Sequence, residues 1–215
     1  MPAKSKAYDA HCRDCPRLAE FLDEVRVEHT GYFCKPVPPF GASAPKLLVV
    51  GLAPGLHGAN RTGRPFTGDY AGTLLYQTLH KYGFASRSES VSADDGLRLI
   101  DCRITNAVKC LPPQNKPLPV EIKTCNHFLA SELQGLPVGT AILALGTIAH
   151  AAVLTGLGLR AAHCKFAHGA QHALPDGRAL FDSYHCSRYN TNTRRLTEAM
   201  FHAVFAGIRA HLSAQ

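Results

Sequence analysis

Short apolar runs that alternate with segments of helical period predict an α/β fold with a largely parallel sheet. The first observation is Lys46–Gly51, an apolar run that is β-branched at its end and closed by glycine, the pattern of a strand buried on both faces. The second is three further runs of this kind, at 99–108, 141–145 and 179–184. The third is the spacing between and after them. Leu74, Leu75, Leu79 and Tyr82 recur at a helix period, and so do Leu196, Met200, Val204 and Ile208.

In chain order, residues 1–40 are mixed in character. They end in Lys35-Pro36-Val37-Pro38-Pro39-Phe40-Gly41, a Pro/Gly connector. The first strand follows, then a glycine-rich loop from Leu52 to Gly72, then a helix over Thr73–Tyr82. The strand at 99–108 leads into a proline-rich loop. Ala141–Leu145 is a strand that runs into a helix near Thr147–Thr155. Pro175-Asp176-Gly177 is a turn signal, Ala179–Tyr184 the fourth strand, and the last element is helical.

The chain has 215 residues, 46% hydrophobic and 18% charged, which suits one compact domain over 1–215 and argues against disorder. No apolar run follows the first lysines, so a secretory signal is not expected. The stretch 138–159 is free of Lys, Arg, Asp and Glu and long enough to test as a membrane span. Four glycines, His150 and three threonines break it, and a buried strand plus a buried helix is the better account. A cytoplasmic protein is expected. The net charge of +7 is compatible with a polyanionic partner without requiring one. Eight cysteines in an unsecreted chain point to metal or redox chemistry rather than disulfides.

The cysteines divide by spacing. Cys12-Arg-Asp-Cys15 is one clip, and Cys110 with Cys125 is a second, separated by Pro112, Pro113, Pro117 and Pro119. Four thiolates from two clips hold either a structural Zn²⁺ or an iron–sulfur cluster. Thioredoxin-like redox chemistry is the rival for a lone C-x-x-C, but this pair does not follow a first strand. Cys34, Cys102, Cys164 and Cys186 have no partner at ligand spacing and read as small buried hydrophobes.

The loop Gly51-Leu-Ala-Pro-Gly55-Leu-His-Gly58-Ala-Asn-Arg-Thr-Gly63-Arg-Pro-Phe66-Thr-Gly68-Asp69 is neither a Walker A loop nor a dinucleotide fingerprint. Arg64-Pro65 stands where Lys-Ser/Thr is required, and Gly51, Gly55 and Gly58 are wrongly spaced. Its glycines permit close backbone approach to a ligand, and Phe66 offers an aromatic face. The third segment is His185-Cys-Ser187-Arg188-Tyr189-Asn190. A histidine at a strand end is often structural, but the polar residues after it are an inventory for phosphate contact near a helix N-terminus. In parallel sheets ligands sit beyond the carboxyl ends of the strands, where this loop, Asn106 and His185 all fall.

These residues resemble family 5, type b, of the uracil-DNA glycosylase superfamily. The match runs through Gly51-Leu-Ala-Pro-Gly to Gly63-Arg-Pro-Phe-Thr-Gly-Asp69, then Ile104-Thr-Asn106-Ala-Val-Lys-Cys110, then His185-x-Ser-x-x-Asn190. The resemblance implies an α/β/α sandwich around a four-stranded sheet and a [4Fe–4S] cluster on Cys12, Cys15, Cys110 and Cys125. It implies excision of uracil, hypoxanthine and xanthine from double-stranded DNA, by a monomer at the nucleoid. Two departures stand out. Leu52 occupies the place where most of the superfamily has an acid or amide, as family 5 has it. Cys186 replaces the usual proline of the second motif, and Tyr189 precedes Asn190.

Roles follow from what cleavage of a glycosidic bond requires. The base must leave the stack. Phe66 stacks on it, the loop backbone at Gly51, Leu52, Ala53 and Gly55 holds one edge, and Asn106 reads its polar edge. His185 donates to the departing base, and Asp69 orients water and steadies the sugar cation. Helix capping is the bland alternative for Asp69. Ser187, Arg188, Tyr189 and Asn190 are expected at the DNA. The competing functional readings are a non-catalytic iron–sulfur DNA-binding module and a nucleotide-binding α/β protein.

Overall fold

A computed structural model describes residues 8–160, 162 and 164–214. The strands are β1 (Phe40–Gly41), β2 (Leu47–Gly51), β3 (Cys102–Asn106), β4 (Ala141–Leu145), β5 (Gln171–Ala173) and β6 (Ala179–Ser183). The helices are α1 (Pro16–Glu28), α2 (Ala59–Thr62), α3 (Tyr70–Lys81), α4 (Pro119–Gln134), α5 (Thr147–Gly156), α6 (Arg188–Asn192) and α7 (Glu198–Ser213).

The sheet runs β1-β3-β2-β4-β6-β5. Its four central strands are parallel, with Val49 opposite Ile104 on one side and Leu143 on the other. These are the four strands expected from the apolar runs. The expected four-stranded sheet is nonetheless corrected to six, because β1 and β5 add antiparallel at the two edges. Both are too short and too exposed to leave an apolar run. Helices also stand where none was expected, α2 within the glycine loop and two longer ones. Pro16 opens α1 over residues read only as mixed, and Pro119 opens α4 inside the segment read as a loop, so Cys125 is helical. Pro fits the first helical turn, where its missing N–H has no partner to lose.

Alternating strand residues face opposite layers. Leu47, Val49, Ile104, Leu143 and Phe181 pack under α3 and α7, against Leu75, Leu79, Phe201 and Phe205. Leu48, Val50, Ile142, Ala144 and Leu180 pack under α4 and α5, against Leu129, Leu133 and Val153. The result is an α/β/α sandwich whose strands are buried on both faces, as β2, β4 and β6 are along their whole lengths. The segment tested as a membrane span is β4 followed by α5, and among the described residues no helix is long and apolar enough to cross a membrane.

A buried ion pair locks the glycine loop to the segment after α3. The Arg64 guanidinium donates to Asp95 at 2.7 Å and to Ser90 Oγ at 3.1 Å, and lies 4.5 Å from the centre of the Phe40 ring. Burial pushes the Asp95 carboxyl up, but Arg64 and the backbone N–H groups of Leu97, Val91 and Ser92 outweigh it and hold the carboxyl at about 2. A carboxylate depressed by folding adds stability above its unfolded value near 4, and that stability is lost as pH falls toward 2. Asp95→Ala leaves the guanidinium buried and unpaired. It should lower unfolding free energy in urea by on the order of 3 kcal/mol at neutral pH, and by much less near pH 2; an equal loss at both pH values would contradict this.

Candidate functional site

The carboxyl ends of β2, β3 and β6 open into one cleft of about 520 Å³. Leu52, Ala53, Gly55, Phe66 and Asp69 reach it from the glycine loop, Asn106 from the end of β3, and His185, Ser187 and Arg188 from beyond β6. Segments far apart in the chain therefore converge as a parallel sheet requires.

Gly51 sets the spacing of the inner wall. A Cβ there would lie 2.5 Å from Asn106 Oδ1 and 2.6 Å from the Phe66 ring, closer than real Cβ contacts come. Only glycine lets the amide and the ring approach this closely. Asn106 Oδ1 is buried and has no hydrogen-bond partner among the described residues. A buried amide oxygen left bare costs free energy unless a ligand donor meets it. Phe66 is buried at a φ of +54°, a region that non-glycine residues rarely occupy. The surrounding backbone holds it there. Tyr76 OH donates to Pro65 O at 2.9 Å, and Gly72 leaves room for Phe66 O, which would sit 1.8 Å from a Cβ. The Phe66 and His185 rings stack with centroids 5.8 Å apart and planes at 28°.

Asp69 does two things at once. Its Oδ1 accepts from Gly72 N at 2.9 Å and caps α3. Its Oδ2 faces Gly58 and Gly55, where a Cβ at Gly58 would approach to 2.2 Å. Burial pushes the carboxyl above its usual range, opposed by the N–H groups of Gly72 and Ala71. Capping and a place in the cleft are thus compatible for this carboxylate. His185 is driven the other way: burial lowers it from 6.5 to about 4, so its imidazole is neutral at physiological pH.

The segment after His185 is pinned rather than free. Cys186, in the place of a proline, is fully buried and donates from Sγ to Ala71 O at 3.3 Å. Asn190 Nδ2 donates to His185 O at 2.8 Å, which fixes the histidine backbone, and Ser187 caps α6. Of the residues expected at DNA, Arg188 and Tyr189 are the exposed ones. The Arg188 guanidinium lies 5.1 Å from the centre of the Tyr70 ring. Tyr70, His57 and Asn115 also line the cleft and were not expected. Tyr70 follows Asp69 directly, and His57 sits within the glycine loop, so position in the motif was the available signal. Asn115 had none.

Cys12, Cys15, Cys110 and Cys125 line a single cavity. The first two lie just before and at the N-cap of α1, the third follows β3, and the fourth is in α4. Burial pushes all four thiols up, Cys15 to about 11, and neighbouring thiols and carboxylates add to the effect. Four such thiols together are stable as thiolates only beside a cationic group, so the donor set fits a metal centre. The backbone N–H of Lys109 already donates to Cys125 Sγ at 3.3 Å. Tetrahedral zinc draws its sulfurs to within about 4 Å of one another. Among the described residues, no three of these sulfurs lie within 4.8 Å of one another. The other four cysteines are buried, as small hydrophobes should be.

The uracil DNA glycosylase superfamily model matches residues 38–209. A type-5 uracil-DNA glycosylase of Thermus thermophilus is 48% identical over 195 residues, covering 88% of this chain and 89% of that protein. Type-5 uracil-DNA glycosylases of Mycobacterium leprae and Pyrobaculum aerophilum are 43% and 42% identical, over 90% and 87% of this chain and 88% and 83% of their own lengths. The fold, the convergence of the three motifs and these relatives agree: the chain belongs to the uracil-DNA glycosylase superfamily, in its type-5 family.

Proposed function

We propose that this protein is a DNA glycosylase that hydrolyses the N-glycosidic bond of uracil and other deaminated bases in duplex DNA, leaving an abasic site. The observation that carries the reading is Asn106 Oδ1, a buried acceptor without a partner among the described residues, set against the Phe66 ring in an open cleft. A flipped base supplies both an N–H for that oxygen and a face for the ring. As the bond breaks, negative charge grows on the departing base. His185, neutral and fixed by Asn190, serves as a hydrogen-bond donor to that charge rather than as an acid. Leu52 is apolar and cannot polarise water, so orienting the nucleophile falls to Asp69 Oδ2, which faces the cleft while Oδ1 caps α3. Leu52, Ala53 and Gly55 place little bulk or polarity along one wall. The pocket therefore admits hypoxanthine and xanthine as well as uracil. Arg188 and Tyr189 meet the backbone of the duplex. The reading places a monomeric enzyme in the cytoplasm, at the nucleoid, at the first step of base excision repair.

The four cysteines would hold a [4Fe–4S] cluster, as the family resemblance implies and as a set of four thiols lining one cavity permits. When bound, such a cluster supplies a structural cross-link between the start of α1, the turn after β3, and α4. Cys110, Cys125 and Ala53 share one apolar cluster, so this cross-link also backs the cleft wall.

Duplexes carrying uracil or hypoxanthine should both yield abasic product. Asp69→Asn should keep the fold, since asparagine caps as well as aspartate, yet slow single-turnover release by roughly 10²-fold or more. His185→Ala should slow it by about 10²–10³-fold. Binding to uracil-containing duplex with no abasic product would instead mark a non-catalytic module.

The single-turnover rate should be flat between about pH 6 and pH 8, because His185 stays neutral down to about 4. An acid limb should appear at lower pH, above the ordinary carboxylate value, as Asp69 protonates. A limb near 6.5 that vanishes in His185→Gln would contradict this assignment.

Protein isolated without oxygen should be brown and carry iron near four per chain. Cys12→Ala should lose the colour and much of the folded yield. A colourless protein with zinc on these cysteines would overturn the cluster.

A further inference from the structure

A second cluster of ligand-type side chains lies on the α5 side of the sheet, away from the four cysteines. Asp182 of β6 is fully buried, and its two oxygens face different histidines. His150 Nδ1 of α5 is 2.7 Å from Oδ1, and His172 Nε2 of β5 is 3.1 Å from Oδ2. Among the described residues this is the one trio with donor atoms within 4.8 Å of one another. The other ring nitrogen of His150, Nε2, lies 3.0 Å from Cys164 O. A neutral imidazole has one N–H, yet both nitrogens of His150 face acceptors. Something positive belongs between Nδ1 and the carboxylate. A divalent ion, whose bonds of about 2.0–2.2 Å set tetrahedral donors roughly 3.3–3.6 Å apart, could be held by these three side chains with small shifts. Nε2–H donating to a backbone carbonyl is the outer contact that metal-bound histidines make.

We propose that His150, His172 and Asp182 bind one structural divalent cation of the zinc class. Two imidazoles and a carboxylate favour zinc over magnesium or calcium, which take oxygen ligands.

The site would tie β5, β6 and α5 together, and His150 Nε2 reaches from it to the carbonyl of Cys164. The segment after Cys164 carries Phe166, which packs on His150 and Tyr184, and His168, which stacks on Tyr184 at 5.0 Å. Tyr184 is the residue before His185. The cation therefore braces the strand end that presents the catalytic histidine.

The test loads purified, cluster-containing protein with zinc, removes weakly bound metal by gel filtration, and measures zinc and iron in the same sample. The expected result is about one zinc per chain beyond unchanged iron, with a rise in melting temperature on loading. His172→Ala, at a half-buried edge position, and His150→Gln should each weaken zinc retention by about tenfold or more and abolish the thermal shift, with iron unaltered. No zinc retained by the unmodified protein would show that hydrogen bonds alone hold the trio together. Equal retention in both variants would place the metal elsewhere. Either result overturns the proposal.

Discussion

Gly51 is the constraint on which the site depends. It ends β2 between β3 and β4, and its missing side chain lets the Asn106 amide and the Phe66 ring close on the same point. Any Cβ would drive into both. The parallel register then does the rest: Gly51 is paired with Asn106, so the strand that lacks a side chain and the strand that supplies the amide end at the same height. The cleft is thus a product of sheet geometry as much as of loop sequence.

The glycine loop beyond that point is long but well anchored. Phe66 sits at positive φ because its neighbours hold it, through Tyr76 on Pro65, Arg64 on Asp95, and the close contact with Gly72. Asp69 belongs to the same arrangement. Its cap on α3 fixes one oxygen in the fold and leaves the other facing Gly55 and Gly58 at the cleft. The same contacts that anchor the loop therefore also set where its side chains meet the cleft.

Much of this was legible in the sequence, for physical reasons that differ by element. The four parallel strands are buried on both faces, so apolar runs mark them directly. β1 and β5 are held by backbone pairing at sheet edges and carry no hydrophobic signal. α1 and α4 did leave one, in Leu18, Leu22 and Val25 and in Ile122, Cys125, Phe128 and Leu129. Prolines nearby read as loop markers, whereas Pro16 and Pro119 open helices. In the site, Phe66, Asp69, Asn106 and His185 stand in compact motifs. Asn190 fixes His185 from within its motif, a role no spacing reveals, and the cleft lining at Asn115 comes from the turn before α4.

The placement of the four cysteines bears on how the chain reaches this state. Cys15 and Cys110 are separated by roughly 95 residues, and closing a loop of that length costs on the order of 4 kcal/mol in chain entropy. Cys12 and Cys15 also precede the region that the superfamily model covers. As the chain leaves the ribosome, the first clip waits unpartnered through the synthesis of β1, β2, α3 and β3. Only when α4 has emerged are all four donors present. A centre on all four cysteines would thus make the docking of α1 wait for α4, the same helix that Arg17 of α1 already meets through Glu121.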